Sequence, residues 1–285
     1  MLRFITKFIA YFPLKRVHQA GVLLGYLSHL LSTKSNKLRL ENLSQSNIYT
    51  NTEQLKECVN TNTLETGKAA LETFYIWGKN SQEIGSLIKS VHHWNYIENA
   101  VALGKGIIFL TPHLGCFEVT SRYYALHHPI TVLYRTPKKQ WLLPLVNTGR
   151  AHHNITLAEA NTGGVRKLMQ ALKRGEAIGI LPDQIPAEGE GEWADFFGKP
   201  AYTMTLASKL AEKTGATVIM AFGERLTNGQ GYEIHLTKVN SIATPTLLNQ
   251  AIERQIKQKP EQYLWQYNRY KARRHALQKT NAPDF

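Results

Sequence analysis

The sequence predicts an α/β fold, a mostly parallel central sheet flanked by helices, with an N-terminal membrane-associating helical segment. Two observations predict the sheet. Three short runs are almost entirely apolar, as expected of strands that helices cover on both faces: GIIFLTP (106–112), ITVLY (130–134) and AIGILP (177–182). Segments with helical periodicity lie between these runs, and this alternation favours parallel strands joined by helices.

The N-terminal residues 1–31 combine apolar and aromatic side chains with the cations Arg3, Lys7, Lys15 and Arg16. Aromatic rings beside cations suit a helix that lies at the surface of an anionic membrane. The apolar part, from Val17 to Leu31, is only about 15 residues long, whereas about 20 are needed to cross the hydrocarbon core. We therefore expect residues 1–31 to form a membrane-associating helix and residues 32–285 to form the α/β domain. An ordinary buried helix is the alternative.

The remaining elements follow from local patterns. The polar residues 41–62 predict a loop and a short helix, and the apolar spacing of residues 64–91 predicts a helix. Further helices are predicted over residues 119–127, 139–150, 163–173 and 205–216. Residues 217–226 and 232–240 are predicted strands, and a last helix is predicted from Thr244-Pro245 to about Lys259.

The chain is strongly basic, with 34 Lys and Arg against 21 Asp and Glu and a net charge of +13. Such a charge attracts polyanions, for which nucleic acid and an anionic membrane are the candidates. No zinc-finger spacing, aromatic ribonucleoprotein motif or basic helix is present, so we expect no nucleic-acid partner. The cysteines Cys58 and Cys116 form neither a disulfide framework nor a zinc-ligand pattern, which fits a reducing cytosolic environment.

Polar side chains follow each of the three apolar runs. His113 follows the first, Arg135 the second, and Asp183 with Gln184 the third. Ligands of open α/β sheets bind beyond the carboxyl ends of parallel strands, so we expect these groups to converge on one site. Each alone is ordinary, as a structural histidine, a solvated arginine or a capping aspartate. Their equivalent positions favour a functional site.

The chemistry of this site centres on His113, which can act as a general base. Glu118, about one helical turn further on, is placed to hold one ring nitrogen protonated. The chain has no G-x-S-x-G motif, and Cys116 is too near His113 in sequence to be the expected nucleophile. A substrate hydroxyl attacking an activated acyl group is therefore predicted. Arg135 and Arg166 are candidates for binding an anion such as phosphate.

Residues 183–203 have no periodicity and predict a long functional loop. Its aromatic side chains either line an acyl tunnel or pack onto the core; they are Trp193, Phe196, Phe197 and Tyr202. Two other function classes also remain open. A thioesterase would use the same His and Glu with water as acceptor, whereas a non-catalytic lipid- or nucleic-acid-binding protein would not need them.

The doubled histidines do not predict a metal site; they are His92-His93, His127-His128 and His152-His153. Adjacent residues on a strand or helix point apart, and no carboxylate or cysteine accompanies these pairs at ligand spacing. We therefore expect no metal.

In their order along nearly the whole chain, these motifs resemble the lysophospholipid acyltransferase superfamily, specifically its lipid A late acyltransferase branch of lauroyl and myristoyl acyltransferases. HLGCFE (113–118) resembles the His-four-residues-Glu motif of that branch, with Cys116-Phe117 where Asn-Trp is common. The other similar segments are LYRTPKK (133–139), GGVRKLMQALKRGEAIGILPDQ (163–184), FFGKPAYTMTLASKLAEKTGA (196–216) and PEQYLWQYNRYK (260–271).

The resemblance implies an O-acyltransferase that moves a fatty acyl chain from acyl carrier protein to a hydroxyl of a lipid A precursor. It implies that neither a metal nor a cofactor takes part. It also implies that the protein is located at the cytoplasmic face of the bacterial inner membrane. By this match His113 is the base and Glu118 its partner. The expected substrate-binding residues are Arg135, Arg166, Asp183 and Gln184. The expected partners are acyl carrier protein, an anionic lipid acceptor and the membrane surface, and a lysophospholipid or glycolipid acceptor is the alternative.

Overall fold

The computed structural model describes residues 2–137, 143–150 and 152–271. The helices are α1 (Leu2–Tyr11), α2 (Leu14–Leu31), α3 (Thr33–Gln45), α4 (Thr52–Gly78), α5 (Ser81–Leu87), α6 (Asn95–Leu103), α7 (Phe117–Tyr124), α8 (Leu143–Arg150), α9 (Thr162–Lys173), α10 (Leu206–Thr214) and α11 (Pro245–Ile256). The strands are β1 (Ile88–His92), β2 (Ile107–Leu110), β3 (Ile130–Tyr134), β4 (Ile155–Glu159), β5 (Ala177–Ile180), β6 (Gly191–Phe196), β7 (Lys199–Met204), β8 (Thr217–Arg225) and β9 (Tyr232–Val239).

Within the described residues, a seven-stranded sheet has the order β1-β9-β8-β2-β5-β3-β4. The five strands from β8 to β4 run parallel, whereas β9 is antiparallel to β8 and carries β1 alongside it in parallel. The reversal at β9 follows from its short connection to β8, since a short turn can join only antiparallel strands. The predicted mostly parallel sheet flanked by helices is confirmed.

Helices cover both faces of the sheet. Ile107 and Phe109 pack in a cluster with side chains of α6 and α7, whereas Ile108 and Leu110 pack with side chains of α9, α10 and α11. Successive residues of a strand point to opposite faces, so a strand buried on both sides must be apolar throughout. This explains the uninterrupted apolar run of β2.

The N-terminal segment 1–31 is divided into α1 and α2, which meet at Pro13. Glycines allow α2 to approach α4 closely, since a Cβ on Gly67 would lie 2.0 Å from the carbonyl oxygen of Gly21 and 2.4 Å from the nitrogen of Gly25. The opposite faces of α1 and α2 leave large apolar side chains exposed, among them Phe4, Phe8, Tyr11, Leu23, Leu27, Leu30 and Leu31. None of the helices in the described part of the chain has both the length and the apolar character required to cross a bilayer.

Several local predictions were wrong. A loop and a short helix are predicted over residues 41–62, but α3 reaches Gln45, and the helix after the loop, α4, is capped by the Asn51 side chain and extends to Gly78. The predicted helix 64–91 is therefore interrupted, and its last residues form β1. Residues 139–142 of the predicted helix 139–150 and residues 272–285 of the predicted α/β domain lie outside the described residues. The patterns did not reveal α6 or β4.

The predicted structureless loop 183–203 contains a hairpin of β6 and β7. Trp193 pairs with Tyr202 across this hairpin, and Phe196 and Phe197 are buried in the main core. These aromatic side chains do not line the cleft described below, so for Phe196 and Phe197 the alternative of packing onto the core is confirmed.

Candidate active site

Three polar groups meet because β2, β5 and β3 are neighbours in the sheet and run parallel. His113, Arg135 and Gln184, which follow these strands, line one open cleft with a volume of about 520 Å³. The predicted convergence at the carboxyl edge is therefore confirmed as geometry. The loop after β2 is held by its backbone, since the nitrogen of Cys116 donates to the Gly223 carbonyl at 2.8 Å.

Gly115 explains the glycine in the HLGCFE motif. Its φ is +60°, and a Cβ at this position would lie 2.1 Å from the carbonyl oxygen of Gly223. A residue with a side chain would be strained in this left-handed conformation and would displace β8. Glycine therefore lets the chain turn sharply between His113 and α7.

The ring of His113 is paired with Asp183. Nδ1 of His113 lies 2.9 Å from Oδ1 of Asp183, and the backbone nitrogen of His113 donates to Oδ2 at 3.0 Å. Asp183 is 2% exposed, and burial alone would raise its pKa, but the charge and hydrogen bonds of His113 lower this pKa below its ordinary value. The ionised carboxylate therefore favours a proton on Nδ1, so Nε2 is the ring nitrogen that can accept a proton from a substrate.

Nε2 of His113 lies toward the cleft, 3.2 Å from the side-chain nitrogen of Gln184. This amide can donate to the lone pair of Nε2 when no substrate is present. Gln184 thus lies where a hydroxyl substrate must approach the base.

Glu118 does not occupy the predicted position beside the imidazole. It is 5% exposed in the first turn of α7, and its carboxylate accepts two hydrogen bonds from Nε of Arg150, at 2.9 and 3.2 Å, and another from Nη2. The prediction that Glu118 holds the ring of His113 is therefore wrong for this structure. Burial alone would lower the pKa of Arg150, but the Glu118 carboxylate raises it. Glu118 is thus the counter-ion of an arginine that lines the cleft.

The predicted anion-binding residues differ in position. Arg135 lines the cleft and donates to the Ile185 carbonyl at 3.1 Å, whereas Arg166 is exposed on α9 and is not part of the cleft wall. The first residues of α9 and α10 also line the cleft, together with Lys209. Helix N-termini carry partial positive charge, so the wall of this cleft favours a negatively charged ligand.

Cys116 is not a nucleophile candidate. It is 2% exposed, and burial raises the pKa of its thiol well above the ordinary value. A buried protonated thiol does not attack an acyl group. A nucleophile supplied by a substrate remains the expectation.

Arg150 and Lys209 were not identified from the sequence as site residues. Neither lies at the end of a buried strand, since Arg150 ends α8 and Lys209 lies in the first turns of α10. The Gly149-Arg150 pair matches no sequence motif that predicts a binding site. Packing explains why residue 149 is a glycine, since a Cβ there would lie 2.5 Å from the indole of Trp77. Their position in the cleft follows only from how the helices pack.

Comparison with known proteins agrees with the geometry. Residues 2–272 match the family model described as bacterial lipid A biosynthesis acyltransferase. A lipid A biosynthesis palmitoleoyltransferase of Escherichia coli (strain K12) is 23% identical over 260 residues, which cover 89% of this chain and 84% of that protein. The lipid A biosynthesis lauroyltransferase of the same organism is 23% identical over 270 residues, 92% of this chain and 87% of that protein. A lipid A biosynthesis acyltransferase of Haemophilus influenzae is 27% identical over 184 residues, 60% of this chain and 55% of that protein.

Proposed function

The chain belongs to the bacterial lipid A biosynthesis acyltransferase family, and we propose that it transfers a fatty acyl chain from acyl carrier protein to a hydroxyl of a lipid A precursor. The observation that carries this proposal is the ring of His113, which is held by the buried carboxylate of Asp183 and has Nε2 at an open cleft. A base whose second ring nitrogen lies at the cleft suits activation of a hydroxyl.

In the proposed reaction, Nε2 of His113 removes the proton of the acceptor hydroxyl as the oxygen attacks the thioester carbonyl of the donor. The new C–O bond forms a tetrahedral intermediate, whose collapse breaks the C–S bond. The imidazolium then returns the proton to the thiolate that leaves, so the enzyme ends unchanged. Asp183 stabilises the imidazolium during both proton transfers. No residue of the enzyme forms a covalent intermediate, and no metal or cofactor has a role in these steps.

The charge of the cleft supports an anionic acceptor. Arg135 and Lys209 line it beside the starts of α9 and α10, whereas Arg150 is paired there with Glu118, and Glu190 also lies in the wall. Phosphate groups bind well to arginine and to helix N-termini. In this proposal Arg135 and Gln184 contact the substrate, whereas Arg166 serves outside the cleft, where its charge attracts the acidic carrier protein.

The exposed faces of α1 and α2 support a position on the cytoplasmic surface of the inner membrane. Tyr11 is 86% exposed and Leu31 is 85% exposed, and both lie among apolar neighbours on these helices. Exposed apolar side chains on two helices of a chain with net charge +13 suit binding to anionic lipid without a membrane-crossing helix.

The test of the proposal is an assay with acyl-loaded acyl carrier protein and a lipid A precursor in mixed micelles. The expected product is the acylated lipid, and His113→Ala should lower turnover by at least about 100-fold, the scale of a lost general base. His153→Ala is the matched control, since that ring is exposed and outside the cleft.

The thioesterase alternative is separated by omitting the lipid. Rapid release of free fatty acid from the carrier protein without acceptor, at the rate seen with acceptor, would show that water is the true nucleophile and would defeat the transferase proposal. Product formation from a lysophospholipid but not from a lipid A precursor would defeat the assigned acceptor while leaving acyl transfer intact.

A further inference from the structure

A cluster of metal-ligand side chains lies away from the cleft, on the part of the sheet formed by β1, β9 and β8. Glu233 and His235 are two residues apart on β9, so both point to the same face of the sheet. His92, the last residue of β1, is paired with His235 across the two strands. One possible ligand atom from each of these three residues lies within 4.8 Å of the others.

Two imidazoles and one carboxylate are the donor set that zinc and similar divalent ions prefer. Bonds of about 2.0–2.2 Å to zinc require the ligand atoms to lie roughly 3.3 Å apart, so side-chain rotations must shorten the longer separations and lengthen the 2.7 Å contact between His92 and Glu233. The side chains of His92, Glu233 and His235 are 41%, 30% and 23% exposed, which leaves room for such rotations and for an ion to enter from solvent.

The neighbouring groups restrain these side chains. The rings of His92 and His235 are stacked with centroids 4.5 Å apart, and the ring of Phe222 stacks on the other side of His235 at 4.7 Å. Nε2 of His92 lies 2.7 Å from Glu233, and Nε2 of His235 lies 2.8 Å from Glu224.

Two carboxylates and one ammonium group set the charge of the cluster. Nζ of Lys259 lies 2.8 Å from the second oxygen of Glu224 and offsets part of its charge. Glu233 is therefore the carboxylate that remains to balance a cation. When its oxygen and the two rings bind an ion, Glu224 stays beside His235 and holds that ring, as carboxylates commonly do for metal-binding histidines.

We propose that His92, Glu233 and His235 bind a divalent transition-metal ion of the zinc type. This site is separate from acyl transfer, because none of its residues lines the cleft that contains His113. Local spacing could not predict this site, because the two partners of His92 lie more than a hundred positions further along the chain.

The experiment measures Zn²⁺ binding by tag-free full-length protein after removal of bound metal with a chelator. Equilibrium dialysis against Zn²⁺ should give one ion per chain, and Co²⁺ in its place should give the visible absorption bands of a low-symmetry site. His92→Ala and His235→Ala should each weaken binding at least tenfold. Glu233→Gln should also weaken Zn²⁺ binding. Because this variant keeps the shape of the side chain, its weaker binding could not be explained by a folding defect of the kind that an alanine substitution can cause.

His93→Asn is the matched control, because this neighbouring histidine has φ +66°, a conformation that asparagine tolerates, and its ring stacks on Tyr96 outside the cluster. It should bind Zn²⁺ as the unchanged protein does. The proposal is overturned if the unchanged protein binds no Zn²⁺, or if its affinity is the same in the His92, His235 and Glu233 variants. Acyl transfer is measured in parallel and should be the same in all these variants, so a failure of the catalytic proposal is recognised separately.

Discussion

Replacing Asp183 by asparagine tests which carboxylate orients the catalytic imidazole. Asparagine keeps the size of the side chain and an oxygen that can accept from the backbone nitrogen of His113, a bond of 3.0 Å in this structure. It removes the negative charge 2.9 Å from Nδ1 and can place an NH₂ group there instead. The ring then lacks the partner that fixes its tautomer and stabilises its charged form.

The magnitude follows from the Nδ1 contact alone, because the backbone bond does not change as the ring gains a proton. Two unit charges 2.9 Å apart interact by about 6 kcal/mol at an effective dielectric constant of about 20. Part of this is recovered by relaxation and water, so a loss of about 3 to 5 kcal/mol in the transition state is expected. This corresponds to roughly a 10²- to 10⁴-fold lower kcat.

The assay is steady-state acyl transfer with both substrates varied, beside the matched variant Glu118→Gln. Asp183→Asn should lower kcat with little change in KM, and Asp183→Glu should restore part of the rate. The downfield NMR signal of the Nδ1 proton of His113 should be lost in Asp183→Asn and kept in Glu118→Gln. Glu118→Gln should instead lower the free energy of unfolding by about 3 kcal/mol or more, since the partly buried Arg150 loses its counter-ion.

A kcat of Asp183→Asn within tenfold of the unchanged enzyme would refute the role of Asp183. Loss of the Nδ1 proton signal in Glu118→Gln at unchanged stability would refute it equally, because Glu118 would then hold the ring in solution.

Three further predictions concern the loop, the membrane surface and the response to acid. Gly115→Ala should lower the free energy of unfolding by more than about 1 kcal/mol, measured by urea denaturation, and should reduce the rate of acyl transfer. The control is Gly85→Ala, which should leave stability unchanged or raise it, because the nearest atom to a Cβ there is 3.6 Å away. Leu30→Asp should weaken co-sedimentation with anionic vesicles at least tenfold without lowering the melting temperature. Leu103→Asp on α6 is the control, and equal weakening in this variant would contradict a membrane-binding surface formed by α1 and α2. Burial alone would raise the pKa of Glu72, but its ion pairs lower it from 4.5 to about 2, so its contribution of about 3 kcal/mol is present above pH 4.5 and is lost as pH falls toward 2. Urea denaturation between these pH values should show a shallower loss of stability in Glu72→Gln, and an unchanged slope would contradict this role.

Local sequence patterns identified the three central strands of the sheet and the residues at their carboxyl ends. The runs at 106–112, 130–134 and 177–182 became β2, β3 and β5 because a strand covered on both faces has to be apolar at every position. Patterns failed where residues are half exposed, as in β1, or polar on most sides, as in α3. There the tertiary contacts, rather than local spacing, decide the structure.

The sequence by itself determined that His113, Arg135 and Asp183 follow buried strands and must therefore gather at one edge of a parallel sheet. It did not determine which of them touch, because contact depends on strand order, and β5 lies between β2 and β3 although it comes later in the chain. That order places Asp183 against His113. The direction of α7 places Glu118 in contact with Arg150 instead. The same argument applies to His92 and His235, which only the packing of β1 on β9 brings together. Residue types and spacing set which chemical groups this chain can use. The long-range packing of strands and helices decided which of these groups lie together in one site.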